Sequence, residues 1–231
     1  LNKLLLIAPR SCDGGFAEFT RIAARHAHTI DSDFSDVELA SFPCSYSTAE
    51  NMLTRTDVQS GDTVLVTGAS GGVGSAAVQL ANARGARVVA VTSASKREEL
   101  LGLGADVAVD RAGDLVHELG SDSVDVVIDL VAGPTWPALL VLLRRGGRYA
   151  VAGAVAGPLV ELDVRTLYLK DLSFFGCTAL DPGVFAALVR RIETGTIRPL
   201  VAARFPLRDS TSSISSHFSQ SCVGKIVLQV R

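Results

Sequence analysis

A cluster of glycines near residue 70 is the part of this sequence best suited to chemistry. Residues 63–74 read TVLVTGASGGVG, so a short apolar segment leads directly into the glycines. Glycine backbone allows an anion to approach closely, and the start of a following helix offers free N–H groups and a favourable dipole. Side chains at Gly71 or Gly72 would hold a phosphate away, whereas Gly74 would let the helix pack tightly on the strand. We therefore predict a nucleotide site here; a purely structural turn is the alternative.

The residues about twenty positions further on indicate which nucleotide would bind. A cofactor without a 2′-phosphate is usually held by an Asp or Glu at the end of the second strand. Residues 91–97 read VTSASKR and contain no carboxylate. Thr92 and Ser93 offer small hydroxyl groups, while Lys96 and Arg97 would attract a phosphate. NADP(H) is the predicted cofactor, with ordinary surface roles as the alternative for the two cations.

The elements that must position these residues alternate between strands and helices. Six short apolar segments predict strands, and several are continuously apolar, as expected for a parallel sheet covered on both faces: 64–66, 88–91, 107–109, 124–128, 149–152 and 172–175. Helical spacing occurs at 72–84, 95–103, 114–119, 134–143 and 182–194, and Gly85 lies where a left-handed helix cap belongs. This alternation predicts an α/β fold with a doubly wound, six-stranded parallel sheet of the Rossmann type.

The two ends of the chain differ from this pattern. Residues 16–30 (FAEFTRIAARHAHTI) contain β-favouring residues, which predicts extended structure. Residues 210–221 hold seven serines in twelve positions and precede an apolar run at 225–230. Serine prefers caps and turns to helix interiors, so the serine-rich run has no clear secondary structure.

Composition and charge exclude several functional classes. The chain has 231 residues, of which 48% are hydrophobic, and a formal net charge of −2. This composition supports a full core and gives no electrostatic basis for nucleic-acid binding. The longest apolar run, Ala138–Leu143, is far shorter than the ~18 residues that span a bilayer. The four cysteines are scattered without a CxxC pair, which favours a reducing, cytoplasmic setting.

The spacing of the tyrosines excludes one class of Rossmann-type oxidoreductase. Short-chain dehydrogenases share the pattern TGxxxGxG, here starting at Thr67, but need a catalytic tyrosine followed by lysine four residues on. None of the three tyrosines in this chain (Tyr46, Tyr149 and Tyr168) is followed by lysine at that spacing.

Several stretches of the chain resemble the medium-chain dehydrogenase/reductase superfamily, in its quinone-reductase-like and zinc-type alcohol dehydrogenase branches. They are GGFAEF at 14–19, ASFPCSYSTA at 40–49, GDTVLV at 61–66, GAD at 104–106, DVVID at 125–129, GGR at 146–148 and GKIVL at 224–228. The resemblance implies a Rossmann domain beside a GroES-like barrel, and hydride transfer between nicotinamide and a carbonyl, alcohol or activated double bond. Most of the barrel sequence has no counterpart here. We therefore expect a barrel remnant at 1–33, the NADP-binding domain at 34–200 and a return to the barrel at 201–231.

The resemblance also implies roles for individual residues. Thr48 would contact the nicotinamide, and the pyrophosphate would be held by Ser70, Gly71, Gly72 and Val73. Ser93 and Lys96 would meet the 2′-phosphate, and Arg111 would lie near the adenosine. The nicotinamide pocket would be lined by Gly153, Ala154, Val155 and the segment from Phe175 to Cys177. Members of the family often form dimers through the last strand of the sheet, here 172–175, so a homodimer is expected.

Metal ligands and general acids are the least evident parts of this sequence. Cys44 lies where one cysteine ligand falls in zinc-type members, but a catalytic zinc needs three protein ligands. We therefore expect no zinc in this chain, Cys44 as a small buried hydrophobic residue, and His26 and His28 as surface or packing residues. No side chain is assigned as a catalytic acid or base. The alternative function is a nucleotide-binding fragment without catalysis, because a substrate pocket would need the barrel.

Overall fold

The computed structural model describes residues 2–6, 15–181, 183–211 and 223–230. Its strands are β1 Asn2–Leu6, β2 Ala27–Asp31, β3 Thr63–Val66, β4 Arg87–Thr92, β5 Val107–Asp110, β6 Val124–Asp129, β7 Leu143–Val151, β8 Ser173–Gly176, β9 Val201–Pro206 and β10 Lys225–Gln229. Its α-helices are α1 Asp36–Ala40, α2 Ser45–Arg55, α3 Gly72–Asn82, α4 Arg97–Gly102, α5 Leu115–Leu119, α6 Trp136–Leu142, α7 Val164–Leu169 and α8 Val184–Glu193. Among these residues no helix is both long enough and apolar enough to cross a membrane.

Six of the strands form one parallel sheet in the order β5-β4-β3-β6-β7-β8. The chain builds outward from β3 to β5 on one side, then returns to the centre and builds from β6 to β8 on the other. This is the doubly wound arrangement, and its switch point lies between β3 and β6. The predicted six-stranded Rossmann-type sheet is therefore confirmed. Gly85 has φ +76, as expected for the predicted left-handed cap after α3.

The central strands are buried on both faces, which explains their continuous apolar sequence. Val64, Val66 and Val126 contribute to a core that also contains side chains of α2, α3 and α8. Leu65 and Val127, which point to the opposite face, contribute to a second core with Trp136 and neighbouring residues of α6. The helices thus cover both faces of the sheet.

Helix α2 was not anticipated from the sequence, although most of its side chains are buried. Polar as well as apolar side chains of α2 hold it against the neighbouring segments. The Asn51 amide donates to the Ala179 carbonyl oxygen at 3.0 Å and accepts from the Asp181 N–H at 2.9 Å. The buried Glu50 carboxylate lies 2.8 Å from the Arg84 guanidinium, which anchors α2 to the segment after α3. Polar residues on the buried face obscure the periodicity by which helices are predicted.

Two small sheets lie at the ends of the chain. Strands β1 and β2 pair antiparallel, and β9 and β10 pair parallel. The expectation of extended structure over 16–30 is met only at Ala27–Asp31, because residues 16–23 are irregular and Ala24–His26 form a 3₁₀ turn. Phe16 and Phe19 remain solvent-exposed in this stretch, so their side chains gain no packing contacts that would stabilise a strand. Most of the serine-rich run lies outside the described residues, and the domain division stays a prediction.

Candidate functional site

The glycine turn connects β3 to α3 at the carboxyl edge of the sheet. Gly68 has φ +56, a backbone conformation that residues with a Cβ atom rarely adopt. A Cβ atom placed on Gly74 would press on the Gly68 carbonyl oxygen and lie 2.7 Å from the Ala69 Cα. The helix therefore packs directly on the backbone of the turn, as the sequence predicts.

Two helices begin at almost the same point beside this turn. Helix α3 starts at Gly72 with Gly71 as its N-cap, and no side chain caps its first N–H groups. A Cβ atom on Gly72 would lie 2.9 Å from the Oγ of Ser45, the first residue of α2, which also has no side-chain cap. At the start of α2 the N–H groups of Ser45 and Tyr46 already donate to the Pro43 and Phe42 carbonyl oxygens, at 2.9 and 3.0 Å. The free N–H groups of α3 and the positive dipole ends of both helices meet at this point, which favours an anion. Ser70 and Val73, both half-buried, flank these two glycines in the turn and helix.

A lysine from the far end of the chain also reaches this point. The Lys225 Cδ would lie only 2.7 Å from a Cβ atom on Gly72, so the lysine side chain runs across the start of α3. In the sequence Lys225 is part of the stretch GKIVL, and no local pattern there indicates a role for it. Its placement depends on the pairing of β10 with β9, which no local pattern reveals. The lysine adds a positive charge to the anion-binding environment.

The predicted adenosine-binding residues lie together where β4 and β5 end. The Arg111 N–H donates to the Thr92 carbonyl oxygen at 2.8 Å, which joins the two strand ends. Thr92 is 2% exposed, and its Oγ1 has no hydrogen-bond partner within the described residues. The Nε of Arg97 is likewise buried without a partner there. Ser93 and Lys96 follow in the turn before α4; the Ser93 Oγ lies 3.4 Å from the Ser95 Oγ.

The loops after β6 and β7 form the other half of the same edge. A Cβ atom on Gly153 would lie 2.7 Å from the Leu130 carbonyl oxygen, and the Ala156 N–H donates to the Val131 carbonyl oxygen at 2.9 Å. The two loops therefore touch backbone to backbone. The remaining predicted nicotinamide-side residues differ in burial: Thr48 in α2 and Phe175 in β8 are half-buried, and Ala154 and Val155 are exposed. Their roles in cofactor binding stay predictions.

A buried carboxylate connects the central strands at this edge. Asp129, the last residue of β6, accepts hydrogen bonds from the Thr67 hydroxyl at 2.5 Å and the Tyr149 hydroxyl at 2.6 Å. It also accepts from the N–H groups of Val131 and Ala132 at 2.9 and 3.1 Å. Burial, and then the hydrogen bond to Asp129, raise the pKa of Tyr149 far above its usual value, so its hydroxyl remains a donor. No role for Asp129 was predicted from the sequence.

The cysteine and histidine residues do not assemble a metal site in the described part of the chain. Cys44 is exposed at the N-cap of α2 with φ +67, so the expectation of a small buried hydrophobic residue is wrong. The turn into α2 directs the side chains of the next residues inward and leaves Cys44 outside. His28 packs against Phe185 with ring centroids 4.4 Å apart, in keeping with a packing role. No group of three or more His, Cys, Asp or Glu residues that could hold a metal ion occurs among the described residues, so the donors present there do not fit a catalytic zinc.

Comparison with known proteins gives a consistent set of relatives. Residues 72–194 match the family model described as "Zinc-binding dehydrogenase". An acryloyl-coenzyme A reductase from Metallosphaera sedula is 32% identical over 218 residues, which cover 94% of this chain and 65% of that protein. A quinone oxidoreductase from Lama guanicoe is 30% identical over 238 residues, covering 94% of this chain and 70% of the relative. The chain thus spans less than two thirds of the acryloyl-coenzyme A reductase.

Solved structures agree with the fold. A Sinorhizobium meliloti 1021 protein, assigned provisionally as an alcohol dehydrogenase, superposes with a TM-score of 0.89 at 46% sequence identity. The match covers 94% of this chain and 61% of the solved one. The described sheet and helices therefore correspond to one part of a longer fold in that protein.

Proposed function

Because this chain belongs to the zinc-binding dehydrogenase family of the medium-chain dehydrogenase/reductase superfamily, we propose that it binds NADP(H) for an oxidoreductase reaction. The reaction transfers hydride between the nicotinamide and a quinone, enone, aldehyde or alcohol. The observation that carries this proposal is that the uncapped N-terminus of α3, the start of α2 and Lys225 meet at Gly72. Such an arrangement suits the pyrophosphate of a dinucleotide.

The adenosine end supports NADP(H) over NAD(H). The strand end at Thr92 carries no carboxylate to hold a ribose 2′-hydroxyl, and Lys96, Arg97 and Arg111 supply positive charge around it. The unpartnered Thr92 hydroxyl and Arg97 Nε are buried polar groups that a bound phosphate or ribose would satisfy. A 2′-phosphate is the chemical group that best fits this set of donors.

The residues of this chain act by binding and orienting the cofactor. When bound, the nicotinamide supplies the hydride carrier for the reaction. The glycine turn and Lys225 hold the pyrophosphate, and the loops after β6 and β7 form the wall beside the nicotinamide. Thr48 lies one helical turn from the start of α2, where it orients the ring. No proton-transfer step is assigned to a side chain, and no step is routed through a metal.

The experiment that tests this proposal is calorimetric titration of the chain with NADPH and, separately, NADH. We expect NADPH to bind more tightly, and Lys96→Ala to weaken NADPH binding by about tenfold or more while leaving NADH binding unchanged, because charge-assisted hydrogen bonds are worth about 1.5–3 kcal/mol. Arg87→Ala is the matched control, since Arg87 is an exposed cation at the opposite end of β4. Equal binding of the two nucleotides would overturn the assignment of NADP(H), and binding of neither would overturn the nucleotide site.

Turnover separates this function from the alternative of nucleotide binding without catalysis. Oxidation of NADPH with a quinone, an enone or an aldehyde would be followed by the loss of the absorbance of the reduced cofactor. The oxidoreductase function requires turnover with at least one of these three substrate classes. Tight NADPH binding without any turnover would favour the non-catalytic alternative.

We also propose that the chain forms a homodimer through β8. Among the described strands β8 pairs only with β7, and its Ser173 and Phe174 are exposed. The preceding helix α7 exposes Val164, Tyr168 and Leu169 as well. An open strand edge with apolar neighbours is suited to pairing with a second copy of itself.

A charge on this edge should prevent dimer formation. We expect Ser173→Glu to raise the dimer dissociation constant by about tenfold or more, because a charged side chain on a strand edge opposes pairing with a second strand. Ser173→Thr keeps the hydroxyl and favours a strand, so it should leave the dimer intact. Sedimentation velocity measures both. A wild-type chain that sediments as a monomer, or a dimer unaffected by Ser173→Glu, would refute pairing through β8.

The remaining aspects of the proposal concern setting and partners. We propose a reducing, cytoplasmic setting, since the cysteines are scattered along the sequence and both Cys44 and Cys177 are free. The proposed partner is a small-molecule substrate, and the slightly negative net charge favours neither nucleic acid nor an anionic membrane surface.

A further inference from the structure

The carboxylate of Asp129 is fully buried, and both of its oxygens are engaged. Its Oδ1 accepts from Thr67 and from the N–H groups of Val131 and Ala132, and its Oδ2 accepts from Tyr149. The donors come from the end of β3, from the loop after β6 and from β7. These three strands are neighbours at the centre of the sheet. One side chain thus joins their carboxyl ends.

The loop that Asp129 holds has an unusual conformation. Ala132 has φ +54 and ψ −141, in a region that residues with a Cβ rarely adopt. Its N–H is one of those bonded to Asp129. Thr67 extends the restraint, because its hydroxyl donates to Asp129 and also accepts from the Leu130 N–H at 2.9 Å. Consecutive N–H groups of the loop, from residue 130 to 132, are therefore fixed by this network.

The same loop lies against the glycine turn. A Cβ atom on Gly68 would lie 3.1 Å from the Cγ2 of Val131, so the loop and the turn are in close contact. They meet at the switch point between β3 and β6, where ligands bind in doubly wound sheets. Residues 130–132 therefore form one wall of the crevice between the carboxyl ends of β3 and β6, which we call the cofactor crevice.

We propose that Asp129, Thr67 and Tyr149 form a positioning network that fixes residues 130–132 and so shapes the nicotinamide end of the cofactor crevice. The part of this inference that concerns the nucleotide rests on the proposed function. A buried carboxylate is a weak source of stability, since apolar residues of similar volume often stabilise a core equally well. Two of the four groups that donate to Asp129 are N–H groups of the loop, and these bonds are what a positioning role requires.

Two substitutions at one position test the network. Thr67→Val keeps the shape of the side chain but removes the hydroxyl, whereas Thr67→Ser keeps the hydroxyl. We expect hydrogen exchange to lose most of its protection over residues 130–132 in Thr67→Val, with peptides from α8 unchanged and Thr67→Ser close to wild type. Unchanged exchange in the loop would show that the Thr67 hydroxyl does not fix it. Faster exchange throughout the chain would show that Thr67 supports the stability of the whole fold instead. Tyr149→Phe, which retains its ring contacts with Trp136 and Phe174, should loosen the same loop.

Binding of two nucleotides tests the consequence for the cofactor. We expect Thr67→Val and Tyr149→Phe to raise the dissociation constant of NADPH by about tenfold, as it would if the loop were in place about a tenth of the time. Affinity for 2′,5′-ADP, which lacks the nicotinamide half, should stay within about twofold. A parallel loss of both affinities would overturn the positioning role. If wild type binds no NADPH, the proposed function fails, while the exchange results still decide whether the network fixes the loop.

Discussion

Substituting Gly74 with alanine is expected to abolish most of the affinity for NADPH. The added Cβ would collide with the Gly68 carbonyl oxygen and the Ala69 Cα, which are backbone atoms that cannot rotate away. The turn must then shift relative to α3, and the N–H groups lose their alignment on the pyrophosphate. Breaking one charge-assisted hydrogen bond costs about 2 kcal/mol, so breaking two of them raises the dissociation constant by roughly a thousandfold. Calorimetry measures this loss directly.

A second glycine provides the control for this substitution. A Cβ atom placed on Gly102, the last residue of α4, would meet no atom within 4 Å outside its own helix, so Gly102→Ala should bind NADPH normally. Alanine there should stabilise the chain by up to about 1 kcal/mol through its greater helix propensity. Normal binding by Gly74→Ala would contradict the assignment of the turn as the phosphate site. Thermal unfolding of both variants separates lost binding from lost structure.

Arg84→Met is expected to have the largest effect on stability. The Glu50 side chain is 3% exposed, its Oε1 lies 2.8 Å from the Arg84 guanidinium, and its Oε2 has no partner within the described residues. After removal of the arginine, Arg191 at 3.5 Å is the one cation of the described residues that remains paired with the buried carboxylate. Breaking a buried ion pair on one side costs about 3–5 kcal/mol, so we expect a loss of about 3 kcal/mol in the free energy of unfolding. Urea denaturation measures the change.

The double variant Glu50→Gln/Arg84→Met distinguishes an unpaired charge from lost packing. Removing the carboxylate as well should restore about half of the lost stability, because no buried charge then lacks its partner. Arg190→Met, at an exposed position on α8 beside Arg191, should change stability by less than about 0.5 kcal/mol. A single variant Arg84→Met as stable as wild type would mean that Arg191 alone balances Glu50.

The sheet was predictable from the sequence because its strands are buried on both faces. Val64–Val66 and Val124–Ile128 are continuously apolar or nearly so, and in the structure they are adjacent central strands. The glycine turn was predictable because strand, turn and helix start follow one another within a few residues. In both cases the information needed is local.

The parts of the site that were missed depend on contacts between distant segments. Lys225 reaches Gly72 because β10 pairs with β9, and Asp129 meets Thr67 because β6 returns beside β3. Neither residue type is unusual for its position, so only the tertiary structure indicates a role. Cys44 was wrongly expected to be buried because residue type, rather than the backbone turn at φ +67, guided the expectation.

The return of the chain to the centre of the sheet has a consequence during protein synthesis. The Thr63 N–H donates to the Asp125 carboxylate, 62 positions further along the chain, where β3 lies beside β6. While a ribosome makes those residues, β3 can pair with β4 but keeps its other edge open. We therefore expect nascent chains that end before residue 124 to expose an apolar strand that a chaperone would recognise, and the exposure to end once β6 emerges. Among the strands of this sheet, β3 is thus separated from its second neighbour by the longest stretch of chain still to be synthesised.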